Sequence, residues 1–240
     1  MIDLHCHLLP GVDDGAADLD EALAMARRLR DIGFTAVCCT PHLPWSSPGH
    51  SLAQLDAARE ALAAELERAG VALALHRGAE HHVSELAERL VAGQLAAYPG
   101  GHSFLMEFSS AGFPPQLDQL LFRLQVKGLV PVLAHVERYP EVQADPQALA
   151  ALRRRGCRVT INLTSLAGAW DRAARKAARA ALHAGLVDAA ATDLHAAAEA
   201  DQVAAGLEAL EQLVGAAQRR QLLLDGPAAL AGPALGGGAV

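Results

Sequence analysis

Residues 1–15, MIDLHCHLLPGVDDG, decide how this chain is read: a short apolar strand runs straight into His5, His7 and Asp14. Side chains two apart on an extended backbone leave the same face, which is what two imidazoles need to reach one cation. One His-x-His is weak evidence by itself. Moving outward, five later strand-like stretches each end in residues of the same chemical kind: TPH (His42), GAE (Glu80), MEF (Glu107), AHVER (His135) and ATDLH (Asp193 and His195). Metal-ligand types at so many strand ends imply one convergent site.

The segments between them support that reading. The first strand is expected over about Met1–His5, and a helix is expected from an N-cap at Asp18 to a stop at Gly33. FTAVCCT is the second strand, followed by a proline-rich loop, LPWSSPGH, which puts Trp45 and His50 at the mouth of the strand ends. A long helix over about Leu52–Ala69 leads to a third strand, VALALHRGAE. HSFLMEF, LVPVLAH, CRVTINL and LVDAAATD are the remaining strands. Between them VSELAERLVAG, PPQLDQLLFRLQVKG, about Pro146–Arg155 and about Trp170–Ala184 read as helices. Seven nearly continuous apolar strands alternating with helices imply parallel pairing under a helical cover. An open doubly wound sheet fits the pattern, but a closed barrel brings strands one and seven to one carboxyl-end face, so the barrel is expected. Residues 1–225 are expected to form one domain, helical over about Asp201–Leu224. The Gly/Ala/Pro-rich stretch 226–240 is expected to be a disordered tail.

Composition narrows the function classes. With 240 residues and 52 % hydrophobic content the chain can bury a single large core. It has no apolar run long enough for a membrane span and no basic-then-apolar leader, so a cytoplasmic protein is expected. Its four cysteines show no CxxC spacing and read as buried thiols. A net charge of −7 without a basic block argues against a nucleic-acid surface. Bound divalent cations would reverse the sign of a cleft built from Asp14, Glu80, Glu107 and Asp193, so an anionic substrate remains compatible.

Single histidines are more often structural than ligating. His183 sits in the last turn of a helix, while His50, His76 and His102 have no partner in view. His81 and His82 follow Glu80 at the cleft mouth. Cys6 is expected to point away from its flanking histidines, into packing. For the strand-end set, core packing does not favour His, Glu and Asp at every one of those positions. Imidazole and carboxylate donors without thiolate suit Mn, Fe or Zn in a catalytic setting, and more than four donors imply more than one ion. Clustered divalent ions suit phosphoester hydrolysis.

HCH, DDG, TPH, GAE, MEF, AHVER and TDLH, in that order, resemble the polymerase and histidinol phosphatase (PHP) superfamily. Within it, IDLHCHLLPGVDDG, LQVKGLVPVLAHVER and SLAG are similar to the bacterial manganese-dependent tyrosine-protein phosphatases of the CpsB/YwqE type. The likeness runs from Met1 to about His195. It implies a distorted seven-stranded β/α barrel holding three divalent ions, Mn first and Fe or Zn next. Position by position, it implies His5, His7, Glu80 and Asp193 for one ion, Glu80 with Glu107 and His135 for a second, and Asp14, His42 and His195 for the third. Arg138 matches the family's phosphate-contacting arginine. The family's second arginine, shortly after the Asp-x-His motif, is absent from AAAEADQ, which implies either a weaker phosphate clamp or a stand-in such as Arg77 or Arg172.

The resemblance implies hydrolysis of phosphotyrosine in proteins by metal-activated hydroxide, with Arg138, Glu80 and Asp193 as the catalytic set. It also implies a tyrosine autokinase of capsule or exopolysaccharide synthesis as partner. The alternatives are a PHP phosphatase for a small phosphomonoester such as histidinol phosphate, and a non-catalytic PHP binding module.

Overall fold

The computed structural model describes residues 1–43, 51–232 and 235. The loop with Trp45 and His50 lies outside the described residues. Strands β1 (Ile2–Cys6), β2 (Ala36–Cys39) and β3 (Ala74–Arg77) form one parallel sheet in that order. A second parallel sheet runs β4 (Glu80–His82), β5 (Ser103–Glu107), β6 (Val130–Leu133), β7 (Arg158–Asn162) and β8 (Ala189–Ala191).

The parallel α/β architecture expected from the sequence is present, with the described strands paired as one sheet of three and one of five. The stretch read as strand three is split at Gly78–Ala79. A Cβ on Gly78 would lie 2.9 Å from Thr40 Cγ2 and 3.3 Å from the Cys39 carbonyl oxygen, so the chain crosses closely over the end of β2. Before the break it pairs with β2, and after it with β5. Strand pairing between the two sheets is limited, among the described residues, to two isolated bridges, Cys6 with Leu194 and His42 with Glu80, both at the carboxyl ends of the strands.

The helices cover the outer faces. They are α1 (Leu19–Ile32), α2 (Leu52–Arg68), α3 (Leu86–Ala92), α4 (Leu117–Val126), α5 (Pro140–Ala144), α6 (Ala148–Arg154), α7 (Leu163–Ala167), α8 (Arg172–His183) and α9 (Ala200–Arg220). α1 starts where the Asp18 side chain accepts from the Glu21 N–H and stops at Gly33 in the left-handed region, as its capping residues dictate. α9 is broken at Gly215 and continues through a π-helical turn, Gln221–Asp225.

Alternation along the strands divides the core. Val37, Phe104, Met106, Leu133 and Val159 pack outward under the helices, whereas Ile2, Leu4, Cys38, Leu105, Val132 and Ala189 form a smaller core on the other face. α10 (Gly226–Ala231) closes that smaller core, so the first part of the stretch expected to be a disordered tail is helical. Leu230, Ala231 and Leu235 are buried in it, and the Gly100 N–H donates to the Ala231 carbonyl at 2.7 Å. Burying one leucine contributes about 1.5–3 kcal/mol, a gain that a Gly/Pro count does not register. Gly226 is itself a packing residue, since a Cβ there would lie 2.2 Å from the Asp188 carbonyl oxygen. Among the described residues no helix is long and apolar enough to cross a membrane.

Candidate metal centre

Every residue proposed as a ligand from the sequence reaches the carboxyl ends of the strands. His5 and His7 face the same way from the end of β1, and Cys6 between them turns its thiol toward the Leu194 carbonyl, 3.7 Å away. Burial pushes the Cys6 thiol up, which removes it as a nucleophile. His5 Nε2 lies 3.0 Å from each of His7 Nε2, Glu80 Oε2 and Asp193 Oδ1. Two imidazole nitrogens and two carboxylate oxygens aimed at one point are the donor set of a cation site.

Around that point the remaining residues close in. His42 Nδ1 is 3.4 Å from Glu80 Oε2 and 3.5 Å from Glu107 Oε1. His135 Nε2 is 3.1 Å from Glu80 Oε1 and 4.0 Å from Glu107 Oε2. On the other side Asp14 Oδ1 is 3.5 Å from His195 Nε2 and 3.8 Å from His42 Nε2. The His195 ring stacks on His7 with centroids 3.9 Å apart. Three donor groups converge: His5, His7, Glu80 and Asp193; His7, Asp14, His42 and His195; and His42, Glu80 and Glu107, the donors of each lying within 4.8 Å of one another. Glu80 belongs to two of these groups and is almost wholly buried.

The electrostatics follow from that crowding. Burial opposes charge on Glu80 and Asp193, but His5, with His7 and His135 beside it, holds both well below the usual carboxylate range. Glu107 has less compensation, and burial together with the Glu80 charge pushes it up to about 7. Burial also disfavours the charged form of His7, but hydrogen bonds with Asp13, Asp193 and Glu80 outweigh it and raise the ring well above its ordinary value. Burial lowers His42.

The only two non-glycine residues with positive φ among those described are His135 (φ 31°) and Asp193 (φ 52°), both in this cluster. The left-handed region is sterically costly for residues with a Cβ, so the surrounding contacts must hold these two in place. Asn162 Nδ2 donates to Asp193 Oδ2 at 2.7 Å, and Arg138 approaches the same oxygen at 3.0 Å. The Arg138 guanidinium lies 3.9 Å from the centroid of the Trp170 ring. Its neighbour Glu137 instead accepts from the Asn162 N–H and the Ser165 hydroxyl.

The sequence reading missed the shell behind these groups. Asp13 Oδ2 lies 2.6 Å from His7 Nδ1 and accepts from the His42 N–H at 2.9 Å. Asp3, fully buried, accepts from the Thr192 hydroxyl at 2.5 Å and the Thr192 N–H at 3.1 Å, tying β1 to the segment that delivers Asp193. Asp13 shares the DDG motif with Asp14, and which of the two faces the histidine is a matter of loop geometry. His81 is buried beside Ala96, and burial pushes it down to about 4; His82 pairs with the Ser84 hydroxyl.

The cluster floors a cleft of about 770 Å³ walled by Phe108, Tyr139 and Trp170, and Arg138 is the sole Lys or Arg lining it among the described residues. Arg77 pairs with Asp56, and Arg172 lies in a separate groove, so neither stands in for a second arginine in the cleft.

A convergent imidazole–carboxylate cluster at the carboxyl ends of parallel strands defines a metal-binding α/β enzyme. The family model described as capsular polysaccharide synthesis, CpsB/CapC, matches residues 1–231, and the chain belongs to that family. Tyrosine-protein phosphatase YwqE of Bacillus subtilis is 32 % identical over 196 residues, 81 % of this chain and 77 % of that protein. Tyrosine-protein phosphatase CpsB of Streptococcus pneumoniae is 24 % identical over 237 residues, 95 % of this chain and 96 % of that protein. A crystal structure from a study of YwqE and CpsB, described there as unique metal-dependent tyrosine phosphatases, matches with a TM-score of 0.84 at 29 % identity. That match covers 96 % of this chain and 91 % of the other.

Proposed function

We propose that this chain is a metal-dependent protein-tyrosine phosphatase, releasing tyrosine and phosphate from phosphotyrosine and water. The observation that carries the reading is the convergence of nine His, Asp and Glu side chains beside Arg138, in a cleft with aromatic walls. The related YwqE and CpsB proteins are named for this activity.

In this reading His5, His7, Glu80 and Asp193 hold one ion, Glu80, Glu107 and His135 a second, and Asp14, His42 and His195 a third, with Mn the preferred metal. Such ions supply activated water and neutralise phosphoryl oxygens. Glu80 bridges two of the ligand sets. Asp193 is both ligand and anchor, because its second oxygen fixes Arg138 and accepts from Asn162. The Arg138 guanidinium, flattened against Trp170, offers its remaining N–H groups to the phosphoryl oxygens. Phe108, Tyr139 and Trp170 line a slot suited to a phenyl ring, which favours an aryl phosphate over an aliphatic one.

The two bridges at the ligand end, and a small core fed by strands of both sheets, support treating the sheets as one distorted seven-stranded barrel in which β3 and β4 count as a single interrupted strand. The family's capsule description supports a tyrosine autokinase as the phosphoprotein and a cytoplasmic setting for the pair.

The test is hydrolysis of p-nitrophenyl phosphate, a phosphotyrosine peptide and histidinol phosphate by chelator-stripped protein with Mn, Fe or Zn restored. Metal-restored turnover of the first two supports the proposal. Turnover of histidinol phosphate alone moves the chain to small-metabolite chemistry, and metal binding without any turnover makes it a binding module.

A further inference from the structure

The cleft contains one arginine, yet a strip of cations begins at its rim. α8 reads RAARKAARAALH, and its apolar positions, Ala174, Ala177, Ala178, Ala181 and Leu182, are buried. Its other face presents Arg172, Arg175, Lys176, Arg179 and His183 along a groove of about 400 Å³ that no carboxylate lines among the described residues. The chain as a whole is acidic, with a net charge of −7, so this strip is not a reflection of composition.

A run of charges on a helix is usually a solvated face, but stability does not account for this one. Arg172 and Arg175 lie in the first turn, where the helix dipole disfavours cations, and the acid beside them, the N-cap Asp171, accepts from the Ala174 N–H and, among the described residues, forms no salt bridge with either. Arg172 with Arg175 and Lys176, and Arg175 with Arg179, are like-charge neighbours at spacings of three and four, which oppose helix formation. No salt bridge to any of these four cations occurs among the described residues. The strip is separate from the cleft but adjoins it through the turn before α8. Trp170, which lines the cleft and stacks on Arg138, stands two residues before α8, and Arg175 lies across Gly168 in the turn leading to it.

We propose that the basic face of α8 is a docking track for an acidic segment of the phosphoprotein substrate, lying next to the phosphotyrosine that enters the cleft. The proposal rests on the phosphatase reading and adds a specificity element to it. Twelve helical residues extend about 18 Å, which about five to six residues of extended peptide would span. The preferred substrate therefore has several Asp or Glu residues within about six positions of the tyrosine. Adjacency to the cleft through Trp170 and Gly168 favours this occupant over an anionic lipid surface.

The test compares the wild-type protein with an R175E/K176E double variant, both exposed positions outside the cleft. Three substrates are used: a phosphotyrosine peptide flanked by acidic residues, one flanked by Ser and Gly, and p-nitrophenyl phosphate. The variant is expected to lose about tenfold in kcat/KM on the acidic peptide, mainly through KM, because two exposed ion pairs become repulsive. The other two substrates are expected to be unaffected, and the acidic preference of the wild type is expected to fade in high salt. Equal losses on all three substrates, or none, would overturn the track. In parallel, anisotropy of a labelled acidic peptide without phosphotyrosine, and sedimentation with vesicles of anionic phospholipid, read binding alone. Peptide binding lost in the variant supports the proposal; vesicle binding without peptide binding replaces it with a membrane contact. If no phosphotyrosine peptide is hydrolysed, the phosphatase reading fails while the anisotropy arm still decides the track.

Discussion

The Asp13 carboxylate stands 2.6 Å from His7 Nδ1 and leaves Nε2 of the same ring facing His5, Glu80 and Asp193. It also accepts from the backbone N–H groups of His42 and Gly15, so one side chain sets the tautomer of one candidate ligand and the position of a second.

Replacing Asp13 with alanine is therefore expected to weaken metal binding by about 10- to 100-fold, the usual cost of losing such a backing carboxylate. Competition with a chromogenic chelator measures it. Activity should recover at high metal concentration; an unchanged affinity would show that the loop holds His7 without Asp13.

Arg138→Ala should leave metal content intact and lower kcat by about 100- to 1,000-fold, the range for removing one donor that meets developing charge. Trp170→Ala removes the surface against the guanidinium together with one wall of the aromatic slot, and a several-fold rise in KM is expected. Metal analysis beside steady-state kinetics separates the two effects. Loss of metal from the Arg138 variant would make that residue a structural support of Asp193.

Metal binding must displace protons. Burial and the Glu80 charge push Glu107 up to about 7, so below that pH the metal-free site holds a proton there; hydrogen bonds with neighbouring carboxylates raise His7 and His135 above the ordinary imidazole value. Apparent affinity is thus expected to rise between pH 6 and 8, by about tenfold per pH unit for each proton displaced. Calorimetry in buffers of different ionisation enthalpy counts those protons. A pH-independent affinity would mean that these groups are not ligands.

α9 packs backbone to backbone on α7 at Gly206, where a Cβ would fall 2.1 Å from the Leu163 carbonyl oxygen. Gly206→Ala is expected to cost about 1–3 kcal/mol, seen as a drop in Tm of about 2–12 °C. Because α7 follows directly on Asn162, the variant should also loosen the hold on Asp193, visible as weaker metal binding. An unshifted melting curve would mean that the helices separate at little cost.

Much of this was legible in the sequence because a buried carboxylate or imidazole at the end of an apolar strand has few structural excuses. His5, Glu80, Glu107, His135 and Asp193 stood out for that reason, and the parallel α/β architecture followed from the run of strands and helices between them. What escaped depended on where the backbone goes rather than on residue type. The split of strand three is set by the close crossing of Gly78 over Thr40, which no hydrophobic pattern reports. Asp13 and Asp14 are adjacent identical residues whose roles differ only through the turn that presents them. α10 was hidden by its glycine and proline, although Gly226 is required for the contact with Asp188 and Pro227 suits a first helical turn.

The bridge between Cys6 and Leu194 sets an order of events during synthesis. Two of the candidate ligands, His5 and His7, leave the ribosome almost 190 positions before Asp193 and His195, the residues that close the cluster around them. At about 5–20 residues per second that interval is about 10–40 s. During it β1 can gather β2 and β3, while its opposite edge and the polar ends of its histidines stay unsatisfied. On the proposed ligand set, the four donors around His5 and His7 are therefore complete only once Asp193 has emerged, which places full metal capture there late in synthesis.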